Sequence, residues 1–266
     1  MISNTILVVK LGGGAGNDTA ACLPDLAQIA RTRPLVIVHG LSARLDALCA
    51  ERGIEVRTLT SPSGHTSRYT DAPMRDLFVE VAGAINADLC TGLQALGVNA
   101  VPAGQVIRGN RKDAVRAIVN GRVLLVRDDY SGRIEMVDGH ALQTLLNSGC
   151  TPVVSPLAWH DTDGWLNVDG DRAAAAVAAA LHADDLVILS NVAGLYRAYP
   201  DESSLVAHVP RQQMEQAQQW AQGRMKRKVL GAAEALEGGV GRVVIGAGMG
   251  DAPVSQALAG RGTVFS

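Results

Sequence analysis

The feature that most constrains the fold of this chain is a regular alternation between short, β-branched apolar runs and longer Ala- and Leu-rich stretches with helical periodicity. The apolar runs have few polar residues between them, which is typical of strands buried on both faces of a parallel sheet. We therefore predict an α/β fold, a three-layer αβα sandwich around a mostly parallel central sheet. The predicted strands are 5–10, 35–39, 99–101, 151–155, 186–190, 242–246 and 262–265, and the predicted helices lie near 20–32, 43–52, 73–96, 139–148, 171–182, 211–221, 225–237 and 252–259.

Composition argues against several classes of protein. The chain has 266 residues, 47% of them hydrophobic but only 3% aromatic, so the core must be aliphatic and few rings are free to stack on bases. A net charge of −2 gives no general attraction for nucleic acid or an anionic membrane. No apolar run approaches the ~20 residues of a membrane span, and the first residues lack the features of a signal peptide. The four cysteines form no C-x-x-C pair, which argues against a zinc site and for a reducing cytoplasm.

A different pattern occupies the middle of the chain. Asn120-Gly121 lies between two β-rich runs, 114–119 and 122–126, and this arrangement predicts a β-hairpin. The run 131–137 is predicted to add a third strand, so that the whole hairpin unit covers 114–137.

Two of the predicted strands end in residues that suit an anion site. The first ends at Lys10 and continues into Leu11-Gly12-Gly13-Gly14, and the second ends in His39-Gly40. Ligand sites in open α/β sheets lie beyond the carboxyl ends of the strands. Glycine there lets backbone N–H groups approach phosphate oxygens, and a lysine can neutralise charge that develops during a reaction. A plain turn is the alternative interpretation of each glycine run.

Two better-known glycine motifs do not apply. The chain contains no Gly-Lys dipeptide, which excludes a P-loop. Gly246-Ala-Gly248-Met-Gly250 follows a strand, but only sixteen residues remain after it, too few for the second strand and acidic residue of a dinucleotide site. We interpret this run as a plain turn.

The run Asn167-Val168-Asp169-Gly170-Asp171 opens an Ala-rich predicted helix. Either aspartate by itself is explained as an N-cap, whose carboxylate satisfies free backbone N–H groups and complements the helix dipole. Asn167 and Asp171, spaced by four residues, could instead bind substrate and orient a lysine.

The run Gly223-Arg-Met-Lys226-Arg-Lys228 opens another predicted helix. Cations in a first helical turn oppose the helix dipole, and this unfavourable choice is expected where a bound anion compensates it. Lys226 and Arg227 are most simply solvated, whereas Lys228 precedes the apolar face and could point into a cleft.

Together these runs resemble the amino acid kinase family, and within it the acetylglutamate kinase branch. VVKLGG, VIVHG, SRYTD, LNVDGD, LSNVAGLY and GRMKRKV stand in the order and approximate spacing of that family along the whole chain. GHTSRYTD, RDDYSG, SNVAGLYRAYPDESSLV and GRMKRKVLGAAEAL are most similar to the kinases of carrier-protein-linked lysine or arginine biosynthesis. Those enzymes phosphorylate the side-chain carboxylate of 2-aminoadipate or glutamate, whose α-amino group is joined to a small acidic carrier.

The resemblance implies a role for each matching residue. Lys10 and Lys228 would stabilise the transferred phosphoryl group from opposite sides, and Asp171 would hold their ammonium groups. The remaining implied residues are Gly12, Gly13 and Gly40 as backbone donors to phosphate or acceptor oxygens, Arg68 and Asn167 for the acceptor, and Asn191, Val192, Gly194, Leu195, Gly223 and Met225 for the nucleotide.

The same resemblance implies cofactors, assembly and domain organisation. ATP would be the donor, with Mg²⁺ held mainly by its phosphates and no dedicated metal site on the protein. An acceptor lobe would cover 1–182 and a nucleotide lobe 183–266, and the protein would be a cytoplasmic homodimer. No membrane or nucleic acid partner is expected.

Two features depart from the family pattern. Leu41 stands where the family usually has a second glycine, and 102–105 replaces a longer Gly-, Ser- and Asp-rich segment. If position 41 needed a positive φ, leucine there would cost roughly 1–2 kcal/mol and could crowd the acceptor. Two alternatives therefore stay open beside the carrier-linked acceptor: free N-acetylglutamate as substrate, or a non-catalytic nucleotide-binding regulatory homologue.

Basic residues are concentrated in the segment 108–133, which contains seven Arg or Lys against three Asp. One interpretation is a solvated hairpin whose arginines confer solubility. The other is a patch, including Arg111, Lys112 and Arg116, that steers an acidic carrier towards the acceptor site. Nucleic acid fits less well because Tyr130 is the one aromatic residue nearby.

Overall fold

The structure, a computed structural model, describes residues 5–14, 16–62, 64, 66–119 and 121–266. Its strands are β1 (Leu7–Leu11), β2 (Leu35–His39), β3 (Thr58–Thr60), β4 (Thr66–Arg68), β5 (Ala100–Pro102), β6 (Ile107–Arg111), β7 (Val115–Val119), β8 (Arg122–Val126), β9 (Gly132–Val137), β10 (Thr151–Val154), β11 (Leu157–His160), β12 (Gly164–Asn167), β13 (Asp185–Ser190), β14 (His208–Val209), β15 (Arg242–Ala247) and β16 (Thr263–Phe265). Its α-helices are α1 (Thr19–Ala30), α2 (Ser42–Glu51), α3 (Ala72–Ala95), α4 (Gly139–Asn147), α5 (Gly170–Ala180), α6 (Met214–Trp220), α7 (Met225–Glu237) and α8 (Pro253–Leu258).

The central sheet contains eight strands in the order β14-β16-β15-β13-β1-β2-β10-β5. Its neighbouring strands run parallel, except for the antiparallel pair β15 and β16. At its centre, Lys10 on β1 is in register with Val38 on β2 and Ile188 on β13. The predicted α/β class and the mostly parallel sheet are confirmed.

The sheet is buried on both faces, as its uniformly apolar strands predict. One face, with Val8, Val38 and Ile188, packs against the Ala-rich helix α5 and against α7. The opposite face, with Val9 and Ile37, packs against α1, α8 and the second half of α3. Because side chains alternate along a strand, each strand supplies both layers of the core.

A smaller apolar cluster lies to one side of the sheet, between α2 and the first half of α3. Its buried members are Leu41, Leu45, Cys49, Met74, Leu77, Phe78, Val81, Ala82 and Leu157. This cluster supports the segment that follows β2, and so it positions one wall of the cleft at the carboxyl edge of the sheet.

The predicted hairpin unit at 114–137 is wrong in its third strand. Strands β7 and β8 pair only with each other, while β9 pairs antiparallel with β6 in a second sheet ordered β12-β11-β6-β9. The Arg111 guanidinium binds the carbonyls of Arg127 and Asp129, which folds the connection after β8 back towards β6. The predicted turn residue Asn120 lies outside the described residues, whereas Gly121 has a φ of +75°.

The lengths of the helices bear on whether the described part of the chain could span a membrane. Within the part of the chain that the structure describes, no helix is both long enough and apolar enough to cross a membrane.

Candidate active site

Lys10, Asp171 and Lys228 meet at the carboxyl edge of the sheet. Lys10 lies near the end of β1, Asp171 in the first turn of α5, and Lys228 in the first turn of α7. The Asp171 carboxylate lies between the two ammonium groups: Oδ1 is 2.8 Å from Lys10 Nζ, and Oδ2 is 3.0 Å from Lys228 Nζ. The sequence prediction that these three residues converge is met by the geometry.

The three charged side chains are buried, and this burial affects their pKa values. All three residues are less than 10% exposed. Burial opposes ionisation of Asp171, but the charges of Lys10 and Lys228 outweigh it and lower its pKa to about 2. Burial and the Lys10 charge lower the pKa of Lys228, and Asp171 opposes that shift. With two cations to one anion, the site carries a buried positive charge that an anionic ligand would neutralise.

The close approach of α5 and α7 depends on a glycine. A Cβ at Gly231 in α7 would lie 3.1 Å from the Asp171 carbonyl oxygen. A larger residue would push α7 away from α5, and the contact between Lys228 and Asp171 would lengthen.

The two glycine segments are in direct backbone contact. A Cβ on Gly13 would lie 2.2 Å from Leu41 N, and a Cβ on Gly40 would lie 2.4 Å from Gly13 N. The Gly40 N–H donates to the Leu11 carbonyl, and the Gly13 carbonyl accepts from Ala43 N–H in α2. The predicted role of Gly40 as a backbone donor to a ligand is therefore at odds with this structure, because its N–H is already engaged.

His39 is buried beside this segment. Its Nε2 lies 3.0 Å from Ser155 Oγ, which also accepts a hydrogen bond from Asn86. Burial is the main cause that lowers the pKa of His39 to about 4, with the charge of Lys10 adding to it. His39 is therefore neutral at pH 7 and adds no charge to the site.

The glycine run after β15 also belongs to the cleft, so its interpretation as a plain turn is incomplete. A Cβ on Gly248 would lie 2.5 Å from Asn17 Oδ1, and Asn17 Nδ2 donates to the Gly14 carbonyl. The Gly248 N–H donates to the Ser190 carbonyl at the end of β13. Sequence reasoning missed Asn17, whose amide fills the space between the two glycine loops.

The start of α7 contributes more than Lys228. A Cβ on Gly14 would lie 3.2 Å from Arg224 Nη1, so this guanidinium lies against the first glycine loop. Arg227 donates to the Thr66 carbonyl at 2.6 Å and pairs with Asp169 at 3.4 Å. The prediction that Arg227 is simply solvated is therefore wrong, while Lys226 is exposed as expected.

The two aspartates at the start of α5 have separate roles. Asp169 is the N-cap, since its carboxylate accepts from the backbone N–H groups of Asp171 and Arg172. With this function filled, the Asp171 carboxylate is left to the two lysines. The N-cap explanation therefore holds for Asp169 and not for Asp171.

Arg68 and Asn167 lie on the acceptor side of the cleft. Arg68 ends β4, where its Nη2 pairs with Asp46 at 2.5 Å while its buried Nη1 has no partner among the described residues. Asn167 ends β12, and its amide donates to Thr70 Oγ1 at 3.1 Å. The orphaned guanidinium nitrogen is the kind of donor that a carboxylate ligand would satisfy.

Asp129, in the RDDYSG run, ties these elements together. It is 2% exposed, and its two oxygens accept from the backbone N–H groups of Thr70 and Ser131. Because Thr70 in turn receives the Asn167 amide, Asp129 fixes the segment that follows Arg68 relative to the end of β12.

The predicted nucleotide residues divide into two groups. Asn191 and Val192 directly follow β13 at the edge of the cleft, and Gly223 precedes α7 with a φ of +51°. Gly194 packs against Thr263, and Leu195 is 1% exposed within the core, so its side chain lines no pocket. Met225 packs partly buried against the same core.

Leu41 is unstrained, contrary to the expectation from its family position. Its φ is −135°, in the ordinary range for a side-chain-bearing residue, and its side chain is 5% exposed in the cluster between α2 and α3. It is therefore packed inside that cluster and is not exposed in the cleft. The other departure, at 102–105, follows β5 at the edge of the sheet, three strands from β1.

The three residues predicted for carrier docking are in different environments. Arg111 binds Asp163, two backbone carbonyls and the face of Tyr130, so its guanidinium is already engaged within the protein and its docking role stays a prediction. Burial is the main cause that lowers the pKa of Lys112, which is half-buried. Arg116 is exposed on β7.

A metal ion would need several ligating side chains close together. Among the described residues, no group of three or more His, Cys, Asp or Glu side chains is arranged to hold a metal ion. Both oxygens of Asp171, the carboxylate at the centre of the cleft, are already engaged by ammonium groups.

Two kinases of known function are similar to this chain over nearly its whole length. It is 46% identical to a [LysW]-aminoadipate kinase of Deinococcus radiodurans, over 98% of this chain and 91% of that protein. It is 41% identical to a [LysW]-aminoadipate kinase of Thermus thermophilus, over 97% and 99% respectively.

A solved structure and a family match complete the comparison. The N-acetylglutamate synthase of Neisseria gonorrhoeae, complexed with coenzyme A and N-acetyl-glutamate, superposes with a TM-score of 0.81 at 28% identity. That match covers 98% of this chain and 59% of the synthase chain. Residues 5–247 match the amino acid kinase family. This chain belongs to the amino acid kinase family.

Proposed function

We propose that this protein is an ATP-dependent kinase that phosphorylates the side-chain carboxylate of 2-aminoadipate or glutamate carried on an amino-group carrier protein. The observation that carries the proposal is the buried arrangement of Lys10, Asp171 and Lys228 at the carboxyl edge of the sheet. The names and full-length similarity of the two kinase relatives support the acceptor class.

The chemistry fits a site without a general base. A carboxylate acceptor is already ionised at neutral pH, so no proton has to be removed before it attacks phosphorus. The protein must align the two reactants and stabilise negative charge on the transferred group. Lys10 and Lys228, held apart by one shared carboxylate, offer two ammonium groups on either side of that position.

The acceptor would lie between Lys10 and the β4–β12 side of the cleft. Arg68 Nη1 would bind the carboxylate of the substrate's main chain, since this buried nitrogen has no partner among the described residues. Asn167, fixed through Thr70, would bind beside it. The predicted acceptor lobe, 1–182, supplies all of these groups.

The nucleotide would occupy the side of the cleft formed by 183–266. Gly12 and Gly13 would approach its phosphates, together with Arg224, while Asn191, Val192, Gly223 and Met225 would border its base and sugar. Since Asp171 is engaged by both lysines, Mg²⁺ would be held mainly by the phosphate oxygens. Gly194 and Leu195 would then act by packing beneath the pocket.

The experiment is to trap the acyl phosphate with hydroxylamine, supplying ATP-Mg with N-acetylglutamate, N-acetyl-2-aminoadipate or carrier-linked acceptor. Product from the carrier-linked acceptor at far higher efficiency is the expected result. Efficient product from N-acetylglutamate would instead assign the protein to the free-acceptor alternative. ATP binding without product from any acceptor would favour the regulatory alternative, which Leu41 and the shortened segment at 102–105 motivated.

Assembly and location follow from the family resemblance alone. We propose a homodimer that acts in the cytoplasm, in lysine biosynthesis and, if glutamate is the acceptor, in arginine biosynthesis.

A further inference from the structure

The hairpin of β7 and β8 presents an outer face that the rest of the described chain leaves uncovered. Directly paired residues of antiparallel strands lie on the same face, and here the pairs are Arg116 with Leu125 and Ile118 with Val123. Leu125 is 56% exposed, Val123 48% and Ile118 43%. We call these four residues the outer hairpin face.

The other face of the hairpin is anchored to the protein. Ala117 lies on it and is fully buried, and β7 packs against β3, while Leu124 and Arg122 on the same face remain exposed. An isolated two-stranded hairpin is only marginally stable, so this contact accounts for its position. It does not account for three exposed aliphatic side chains on the opposite side, where polar residues would be expected.

The hairpin is also strongly basic. Between 114 and 127 it contains Arg116, Arg122 and Arg127 and no acidic residue, in a chain whose net charge is −2. In the described part of the structure Arg116 forms no ion pair, whereas more than half of the other arginines do. Apolar side chains beside an unpaired arginine suit a partner surface that is acidic with some apolar residues.

The position of the hairpin relates it to the acceptor. β7 contacts β3, β3 pairs with β4, and β4 ends in Arg68, which borders the acceptor side of the cleft. The hairpin is thus a neighbour of the strand pair that carries Arg68, so a protein seated on the hairpin would lie on the acceptor side of the cleft.

We infer that the outer hairpin face, which includes Arg116, is the docking surface for the carrier protein that bears the acceptor. This inference rests on the proposed function and refines it, because it replaces Arg111 with exposed aliphatic residues. A second copy of this chain fits less well, since self-association through the hairpin would bring its arginines together. Nucleic acid fits less well, because the nearby rings of Tyr69 and Tyr130 are already covered by arginine side chains.

The test compares two acceptors in four variants. Leu125→Ser and Arg116→Glu alter the outer hairpin face. Ile54→Ser and Arg261→Glu are matched controls, because both residues are exposed and lie outside the hairpin and the cleft. For each variant, KM and kcat are measured with the charged carrier and with N-acetyl-2-aminoadipate, and titration of the uncharged carrier gives an affinity that does not depend on turnover.

The expected result is that Leu125→Ser and Arg116→Glu each raise KM and Kd for the carrier about five- to tenfold. Efficiency with N-acetyl-2-aminoadipate should stay within about twofold of wild type, and the controls should match wild type with both acceptors. The Arg116→Glu variant should also lose part of the salt dependence of carrier affinity.

Three outcomes would overturn the inference. Unchanged carrier affinity in both hairpin variants would remove the docking role while leaving the proposed function intact, provided the wild type phosphorylates the charged carrier. Equal losses with both acceptors would indicate damage to the cleft. A shift from dimer to monomer in either variant, measured by light scattering, would make the face a contact between copies of this chain. Failure of the wild type with every acceptor would instead refute the proposed function.

Discussion

Two ammonium groups that share one buried carboxylate leave the centre of the cleft with an unbalanced positive charge. Each lysine side chain is fixed by Asp171 before any ligand arrives, so little reorganisation is needed when charge develops on a phosphoryl group. The consequences of this arrangement can be tested residue by residue.

Removing either ammonium should reduce turnover far more than it affects folding. We expect Lys10→Ala and Lys228→Ala each to lower kcat by about 10²–10³, as loss of a comparable preorganised donor does. Steady-state kinetics give the effect, and far-UV circular dichroism checks the fold. Lys226→Ala is the matched control, because Lys226 is an exposed lysine in the same helical turn. Near-normal turnover in either active-site variant would remove these lysines from the mechanism.

The pH dependence of stability should contain a contribution from Asp171. Its pKa is about 2 in the folded protein, below the ~3.9 of an unfolded chain. As the pH falls, the unfolded state therefore takes up this proton at a higher pH than the folded state does. The contribution of ionised Asp171 to the free energy of unfolding is complete above about pH 4 and is lost as the pH falls towards 2. Urea unfolding between pH 2.5 and 6 should show a steeper acid loss in wild type than in Asp171→Asn. Parallel curves would contradict the assignment.

Substitutions at Leu41 distinguish a buried side chain that stabilises the fold from one that strains the backbone where glycine would be preferred. Leu41→Gly should destabilise the protein by about 3 kcal/mol or more, because it removes a buried side chain and leaves a cavity. Turnover should not rise, since the Leu41 side chain is packed in the cluster between α2 and α3. Leu41→Met, which conserves volume, should cost less than about 1.5 kcal/mol. Denaturant midpoints give the stabilities, and a faster Leu41→Gly enzyme would revive the idea that leucine crowds the acceptor.

At the scale of elements, the RDDYSG run joins strands that come from distant parts of the chain. Asp129 accepts hydrogen bonds from the backbone N–H groups of Thr70 and Ser131. The guanidinium carbons of Arg75 and Arg111 lie 4.4 and 4.0 Å from the centroid of the Tyr130 ring. These contacts hold the end of β4 next to the end of β12. The elements that carry Arg68 and Asn167 are thus positioned by a segment that touches neither phosphate nor nucleotide in our proposal.

Loss of Asp129 should therefore affect the acceptor more than ATP. We expect Asp129→Ala to raise KM for the acceptor about tenfold or more with KM for ATP nearly unchanged, because a buried pair of hydrogen bonds is lost. Asp113→Ala, a change at an exposed aspartate, is the control. Equal increases in both KM values would indicate a general loss of structure, and partial rescue by Asp129→Asn would support the positioning role.

Sequence patterns predicted some elements much better than others. Seven of the eight strands of the central sheet were predicted, mainly from their apolar runs, whereas β14, two residues long and beginning at the exposed His208, was missed. Lys10, Asp171 and Lys228 each stand near an element boundary, and their common role was implied by the family resemblance. The short strands β3, β4, β11 and β12 carry mixed polar residues and have no periodic signal. The roles of Arg111, Arg224 and Asn17 depend on contacts with loops remote in sequence, which no local pattern encodes.

For the whole molecule, the decisive feature is that one sheet crosses the boundary predicted between the two lobes. Strands from 1–182 form one half of the sheet and strands from 183–266 form the other, joined where β1 pairs with β13 over four residues. Arg227 adds a second connection, from α7 to the Thr66 carbonyl. Neither half can expose its edge at this junction without breaking the central strand pair.

We therefore expect the two halves to unfold together. Trp159 and Trp165 lie in the first half and Trp220 in the second. Variants that keep either the first two tryptophans or Trp220 alone should show the same urea midpoint by fluorescence, coincident with far-UV circular dichroism. Separate midpoints would show that the halves are independent folding units despite the shared sheet.

The contact between Gly13 and Gly40 has a consequence for how this sequence can change over evolutionary time. Both partners in that contact are main chain, so a substitution at either position has no opposing side chain that a second mutation could shrink. The two positions are thus fixed as a unit. Leu41, one residue further on, is surrounded by side chains of the cluster between α2 and α3. Its identity can therefore change together with those neighbours, which the Gly13 and Gly40 pair does not allow.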